Sequence, residues 1–366
     1  MKNKRVYFFL GTTAELIKLA PVIRELKARK IKFKLITSGQ NKIDFEDLEN
    51  FLGQIKADIA FPEKSHKSSM PLFLLWALKT FLIGLVKLRS EFKGLNGDSS
   101  YFIIHGDTVS SLIGSLIAKI YRLKLVHVES GLRSFNFLEP FPEEISRFII
   151  IRLADILFAP NDWALNNLKN LSGAKVSTKQ NTLIESFWWA IKKGAGQDYR
   201  EKFKKYYILY IRRQEHIFFQ KEWTENILEL VIKNADKDLN CLFAINILNT
   251  SFVPSIELYS RNKQGGKVIM VPKLPYVDFM GLMNNAEFIA TDGCTNQEEA
   301  YYMGLPCLAL RNRTERVEGL GENVVISKGD ARVIKDFLKN YRKYKRVPVK
   351  FQKKPSKIIV DYLLEI

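Results

Sequence analysis

Short apolar runs of strand length alternate with longer amphipathic segments along this chain, and the alternation occurs twice. In the first series Arg5–Leu10, Lys32–Thr37, Tyr101–His105, Lys124–Val128 and Ile156–Ala159 read as strands. Ala14–Lys30, Val109–Tyr121 and Glu143–Ala154 read as helices between them. The second series has strands at Tyr207–Ile211, Cys241–Ile245, Val268–Val271, Phe288–Ala290 and Pro306–Leu310. Its helices are Glu222–Lys233, Tyr276–Asn284 and Asn296–Met303. Strands that alternate with helices and lack a polar face imply parallel sheets covered on both sides. The 366 residues exceed one ordinary core and fit two domains of roughly 150–200 residues each. The predicted division is a doubly wound domain over residues 1–175 and a second over 176–350, with the junction near Gly173–Thr182. Residues 351–366 hold a last helix, Ser356–Glu365, expected to pack back on the first domain. In such sheets ligands sit outside the carboxyl ends of the strands, so two of them predict a ligand in the cleft between domains.

Composition narrows the class. Hydrophobic residues at 46% and charged residues at 26% fit a folded protein rather than a disordered or fibrous one. No run approaches the ~18 uninterrupted apolar residues of a spanning helix. Val6–Leu10 is too short for a signal peptide and reads as a buried strand. Cys241, Cys294 and Cys307 show neither paired nor metal-like spacing, which suits a reducing, cytoplasmic setting. Lys and Arg number 57 against 39 Asp and Glu, a net charge of +18 that attracts nucleotides, nucleic acid or an acidic membrane face. No nucleic-acid motif accompanies the charge, and nucleic acid ranks last among those partners.

Polar residues gather at four strand ends. Gly11-Thr12-Thr13-Ala14-Glu15 is a small-residue turn opening a helix, with Lys18 one turn in. It suits either a phosphate or simple capping. His105-Gly106-Asp107-Thr108 closes the next strand, and Asp107 reads either as functional or as a helix N-cap. In His127–Arg133, Glu129 lies just past a buried strand, where an unpaired charge is costly. Arg133 is its candidate structural partner. Glu143-Glu144 then opens a helix. Thr291–Ala300 follows a strand and enters a helix whose first N–H groups suit a diphosphate, and Arg311–Arg316 adds a basic loop.

These segments resemble the UDP-N-acetylglucosamine 2-epimerase family in order and spacing: Gly11-Thr12 with Glu15, Lys18 and Pro21; His105–Thr108; His127–Arg133; Pro142-Glu143-Glu144 with Arg147; Gln297–Ala300; and Thr314–Arg316. The resemblance implies a GT-B-like fold of two Rossmann-like domains, with UDP held mainly by the second. It implies inversion of C2 of the sugar by elimination and re-addition of UDP, without metal or other cofactor. By motif, Asp107, Glu129 and Glu143 match the family's catalytic carboxylates. Gly11, Lys18, Arg212, Gly293, Cys294, Thr295, Glu298 and Arg316 match or stand at its UDP-binding positions. The chain departs from the pattern at Thr13 (an Arg in the family), at Ile211 and Ile247 (each a His), and at Gly293-Cys294-Thr295 (Ser-Gly-Gly). These departures keep two alternatives open: a glycosyltransferase using the UDP-sugar as donor, and a catalytically altered binding relative.

Met70–Leu88 is strongly apolar, with Lys79, Thr80, Lys87 and Ser90 predicted on one narrow polar side of a helix. The basic stretch from Lys339 to Lys357 is the second unusual surface. A homodimer interface is one expected use of the apolar face. Peripheral attachment to the anionic inner face of a membrane, near a lipid-linked acceptor, is the other.

Overall fold

The computed structural model describes residues 4–64, 70–194, 198–246, 248–261, 264–351 and 353–365. Ile247 lies outside them. In the described residues the strands form two all-parallel sheets. The first joins β1 (Arg5–Leu10), β2 (Phe33–Thr37), β3 (Ile59–Ala60), β4 (Ser100–His105), β5 (Lys124–Val128), β6 (Ile156–Ala159) and β7 (Ala174–Ser177) in the order β3-β2-β1-β4-β5-β6-β7. The second joins β8 (Tyr206–Tyr210), β9 (Asn240–Ala244), β10 (Val268–Val271), β11 (Ile289–Thr291), β12 (Cys307–Ala309) and β13 (Val324–Ile326) in the order β10-β9-β8-β11-β12-β13.

Both sheets grow outward from their first strand and then reverse, so each has a switch point: β1 beside β4, and β8 beside β11. Crossing helices diverge there and open a crevice at the strands' carboxyl ends. The central strands are largely apolar and buried because helices cover both faces; Val6–Leu10 is buried along its whole length. In the first core Tyr7, Phe9, Phe102 and Ile104 pack with Leu125 and Leu157. In the second, Tyr207 stacks on Phe288 with centroids 4.7 Å apart.

β3, β7 and β13 were not predicted. Each is a short outer strand with partly exposed residues, so it carries no continuous apolar run. β7 straddles the expected boundary at 175/176. The first unit instead extends to Ser186 and includes Phe351–Ile366; the second is Phe187–Lys350. Ser186 Oγ donates to the Ile17 carbonyl, which ties the segment after β7 to helix Thr13–Ala28. Helix Pro355–Glu365 lies in the first unit: the Tyr101 hydroxyl donates to the Leu363 carbonyl at 3.2 Å, and Arg29 pairs with Asp361 at 2.6 Å.

Helix Met70–Lys87 differs from the expected polar–apolar division. Thr80 is buried with Trp76 on the inward face, where Phe73, Phe81 and Leu85 join the core. That face lies so close to helix Val109–Ile120 that a Cβ on Gly84 would meet Ile117 Cδ1 at 2.5 Å. The outward face carries exposed Leu72, Leu74, Leu75, Leu78, Leu82 and Val86, with Lys79 among them. Among the described residues no helix is long and apolar enough to cross a membrane.

Candidate active site

In the first unit the polar residues converge on the β1–β4–β5 strand ends. Thr12 caps helix Thr13–Ala28, and Glu15 returns the bond in a capping box. Glu15 Oε2 accepts the N–H groups of Gly11 (2.6 Å) and Thr12 (2.8 Å), and Oε1 accepts the hydroxyls of Thr108 (2.6 Å) and Ser111 (3.0 Å). The backbone cradle expected to meet phosphate at Gly11 therefore holds the chain's own carboxylate. Burial raises the pKa of Glu15 despite these donors. Gly11 is required by close approach: a Cβ there would lie 2.2 Å from Ser110 Oγ. Thr13 accepts the Asp44 N–H at 3.0 Å and anchors the loop after β2.

Glu129 follows β5 in the left-handed region, φ 67°. Such a conformation is strained for a side chain of this size and turns the carboxylate back over the strand ends. There it meets Lys18 Nζ at 2.8 and 3.1 Å, Asn181 Nδ2 at 2.5 Å and His105 Nε2 at 3.4 Å. The bridge considered between Glu129 and Arg133 is not formed. Arg133 Nε donates to Glu144 at 2.5 Å, because the loop after Gly131 carries Arg133 toward the start of helix Glu143–Leu153. Lys18 is buried on Glu129 rather than open to a ligand.

Asp107 is not the helix cap; Thr108 is, accepting the Ser111 N–H at 3.1 Å. The Asp107 carboxylate instead pairs with Arg147, which also donates to Glu144 at 3.2 Å. Glu143 and Glu144 divide roles by helix geometry. Glu144 is fully buried and holds the Arg133–Phe135 loop through the Ser134 N–H at 3.0 Å, whereas Glu143 is half-buried at the first helical position.

In the second unit the corresponding residues gather where β8 meets β11. Asp292 is fully buried after β11, and its oxygens accept the N–H groups of Arg212 (2.9 Å) and Arg213 (3.0 Å) and lie 2.9 Å from His216 Nδ1. Burial alone would raise its pKa, but His216 and Arg213 outweigh burial and hold it below the usual carboxylate value. Gly293 precedes helix Cys294–Met303 and leaves room for Arg212, whose Cδ would lie 3.0 Å from a Cβ there. Cys294 Sγ sits 2.5 Å from Arg213 Nη2 and 2.6 Å from Arg311 Nη1. Burial raises the thiol's pKa even so. Thr295 follows in the same first turn. Glu298 is buried, with Arg316 Nη1 at 2.5 Å and the Tyr302 hydroxyl at 2.6 Å.

Two cationic arrays thus border a helix N-terminus at the carboxyl end of a switch point, an arrangement suited to a nucleoside diphosphate. The UDP-N-acetylglucosamine 2-epimerase family model matches residues 24–356. This chain belongs to that family. The family member from Methanococcus maripaludis named UDP-N-acetylglucosamine 2-epimerase is 30% identical over 344 residues, covering 89% of this chain and 88% of the relative. The Methanocaldococcus jannaschii enzyme of the same name is 28% identical, with 90% of each chain covered. The crystal structure of the Neisseria meningitidis UDP-GlcNAc 2-epimerase bound to UDP-GlcNAc superposes with a TM-score of 0.81 at 25% identity, covering 99% of this chain and 100% of that one. The fold is accordingly GT-B-like, built from two Rossmann-like domains.

Asn181, Arg213 and His216 were missed by sequence reasoning as candidate site residues, whereas Arg311 belongs to the basic loop already proposed for phosphate. Asn181 falls in the junction after β7, where no motif marks it. His216 lies beyond Ile211, the position at which the resemblance places a histidine, so no motif marks it.

Proposed function

We propose that this 2-epimerase family member interconverts UDP-N-acetylglucosamine and its C2 epimer. A carboxylate removes the C2 proton, the C1–O bond to UDP breaks, and a C1=C2 double bond forms. A proton then returns to C2 from the opposite face while a UDP oxygen re-forms the bond to C1. No oxidant or reductant is needed. The observation that carries this reading is Glu129, held past a buried strand by Lys18 and Asn181, with His105 Nε2 at 3.4 Å. Asp107 and Glu143 are the companion carboxylates for proton transfer. Arg212, Gly293, Cys294, Thr295, Glu298 and Arg316 are proposed to bind UDP and stabilise its departing charge. Gly11 and Lys18 support the sugar end by shaping the loop around Glu129.

Proton NMR of UDP-N-acetylglucosamine with the enzyme in heavy water tests this. Deuterium is expected at C2 of both recovered sugars, without an added acceptor. UDP release that requires an acceptor, with C2 protium retained, favours a transferase instead.

We propose further that the leucine face of helix Met70–Lys87 pairs with a second copy of the chain. Leu116 and Ile120 of helix Val109–Ile120 are exposed as well, and because the two helices meet at Gly84 and Ile117 we assign them to the same patch. A twofold pairing sets the same patch against itself. Analytical ultracentrifugation is expected to give twice the chain mass for the native protein and the single-chain mass for Leu78→Asp with Leu82→Asp. A monomeric native protein that sediments with anionic vesicles would assign the face to lipid.

A further inference from the structure

We propose that His216 is a positioning residue that sets the Arg212–Arg213 segment for the diphosphate of UDP, a role resting on the UDP-binding reading above. The family pattern has a histidine directly before the Arg-Arg pair. Here that position is Ile211, buried in the second core. An imidazole reaches the same strand end from further along the segment. Residues Glu215–Phe219 form a single π-helical turn, closed by the Gln220 N–H on the Glu215 carbonyl at 2.9 Å. Such turns re-aim side chains and are frequent at functional sites. The turn is fixed from behind by the Thr224 hydroxyl, which donates to the His216 carbonyl at 2.9 Å. The ring lies against Trp223, with centroids 5.1 Å apart.

His216 is 1% exposed and faces Asp292, which is fully buried. A carboxylate only accepts, so Nδ1 carries the proton of that bond and the tautomer is set. Asp292 Oδ2 receives both His216 Nδ1 and the Arg213 N–H, while Oδ1 receives the Arg212 N–H. One carboxylate therefore ties the segment after β8 to the end of β11. Arg212 emerges from that tie beside Gly293, at the start of helix Cys294–Met303. Arg213 emerges toward Cys294 and Glu315. Removing the imidazole leaves Asp292 with one donor fewer in a buried site, so the carboxylate that accepts the two backbone amides is held less firmly. Among the described residues His216 Nε2 has no hydrogen-bond partner, so the working contact is the one made by Nδ1.

Asparagine places its amide where Nδ1 stands; glutamine reproduces Nε2 instead. UDP titrations of the full chain by calorimetry, with thermal melts alongside, separate the two atoms. His216→Asn is expected to bind UDP within about threefold of the native protein, while His216→Gln and His216→Phe weaken it about tenfold. A merely structural role predicts that affinity per folded molecule is the same in all three. Equal affinity, or rescue by Gln but not Asn, overturns the proposal. If His216→Phe does not fold, the Asn–Gln comparison decides alone. Failure of the native protein to bind UDP refutes the nucleotide reading, a result distinct from any difference among variants.

Discussion

Glu129→Gln is expected to lower turnover about 10³-fold while leaving UDP affinity within about twofold, the loss typical of a positioned acid–base group. The substitution also removes one charge of a buried pair and leaves Lys18 facing a neutral amide. Breaking such a pair by removing one partner costs about 3–5 kcal/mol. A lower melting temperature therefore accompanies the loss of turnover, and the two must be separated. Adding Lys18→Met removes the orphaned ammonium, so the double variant regains stability but not turnover. Rates are measured well below both melting points, with circular dichroism confirming the fold at the assay temperature. Normal turnover by folded Glu129→Gln would remove this carboxylate from the chemistry. The left-handed backbone at Glu129 is shared with residues such as Lys30 and Arg122, so the case for a chemical role rests on the buried carboxylate and its partners.

The sheets were legible because the central strands are buried on both faces, and a run such as Val6–Leu10 admits few other readings. Outer strands escaped for the opposite reason: Ala174–Ser177 pairs on one side only and carries Lys175, so no apolar run marks it. The motifs placed Asp107, Glu129 and Glu298 at strand ends and helix starts, but not their partners. Partner choice is a three-dimensional matter. Glu129 takes Lys18 and Asn181 from distant segments, whereas the nearby Arg133 goes to Glu144. Ile211 signalled a lost imidazole, yet the π-helical turn that brings His216 back to Asp292 has no periodic signature in the residues.

Stability is expected to fall as pH drops from about 6.5 to about 4 because of His127. Its Nε2 lies 2.7 Å from the Gly106 carbonyl, which only accepts, so Nε2 carries the proton of the neutral ring. Nδ1 is buried with no hydrogen-bond partner among the described residues. Burial pushes the folded-state pKa down to about 4, with His105 and Arg147 acting in the same direction against the Gly106 bond and the Glu129 charge. The unfolded ring has the ordinary value of about 6.5. Between those two values the unfolded chain binds a proton that the folded chain does not. The contribution is therefore fully present above the unfolded pKa, declines through the window, and levels off below about 4. A shift from about 6.5 to about 4 corresponds to about 3 kcal/mol. Glu15 titrates the other way: its folded pKa is raised, so its protonation favours the folded state as pH falls. The native pH profile alone is therefore a sum of opposing terms. His127→Gln isolates one of them, since the glutamine amide keeps a donor for the Gly106 carbonyl but cannot titrate. Urea unfolding at pH 7, 5.5 and 4 is expected to show a smaller loss of stability in the variant than in the native chain, by about 3 kcal/mol across the range. Parallel profiles for the two proteins would show that His127 does not govern the acid limb, and would leave the buried carboxylates to account for it.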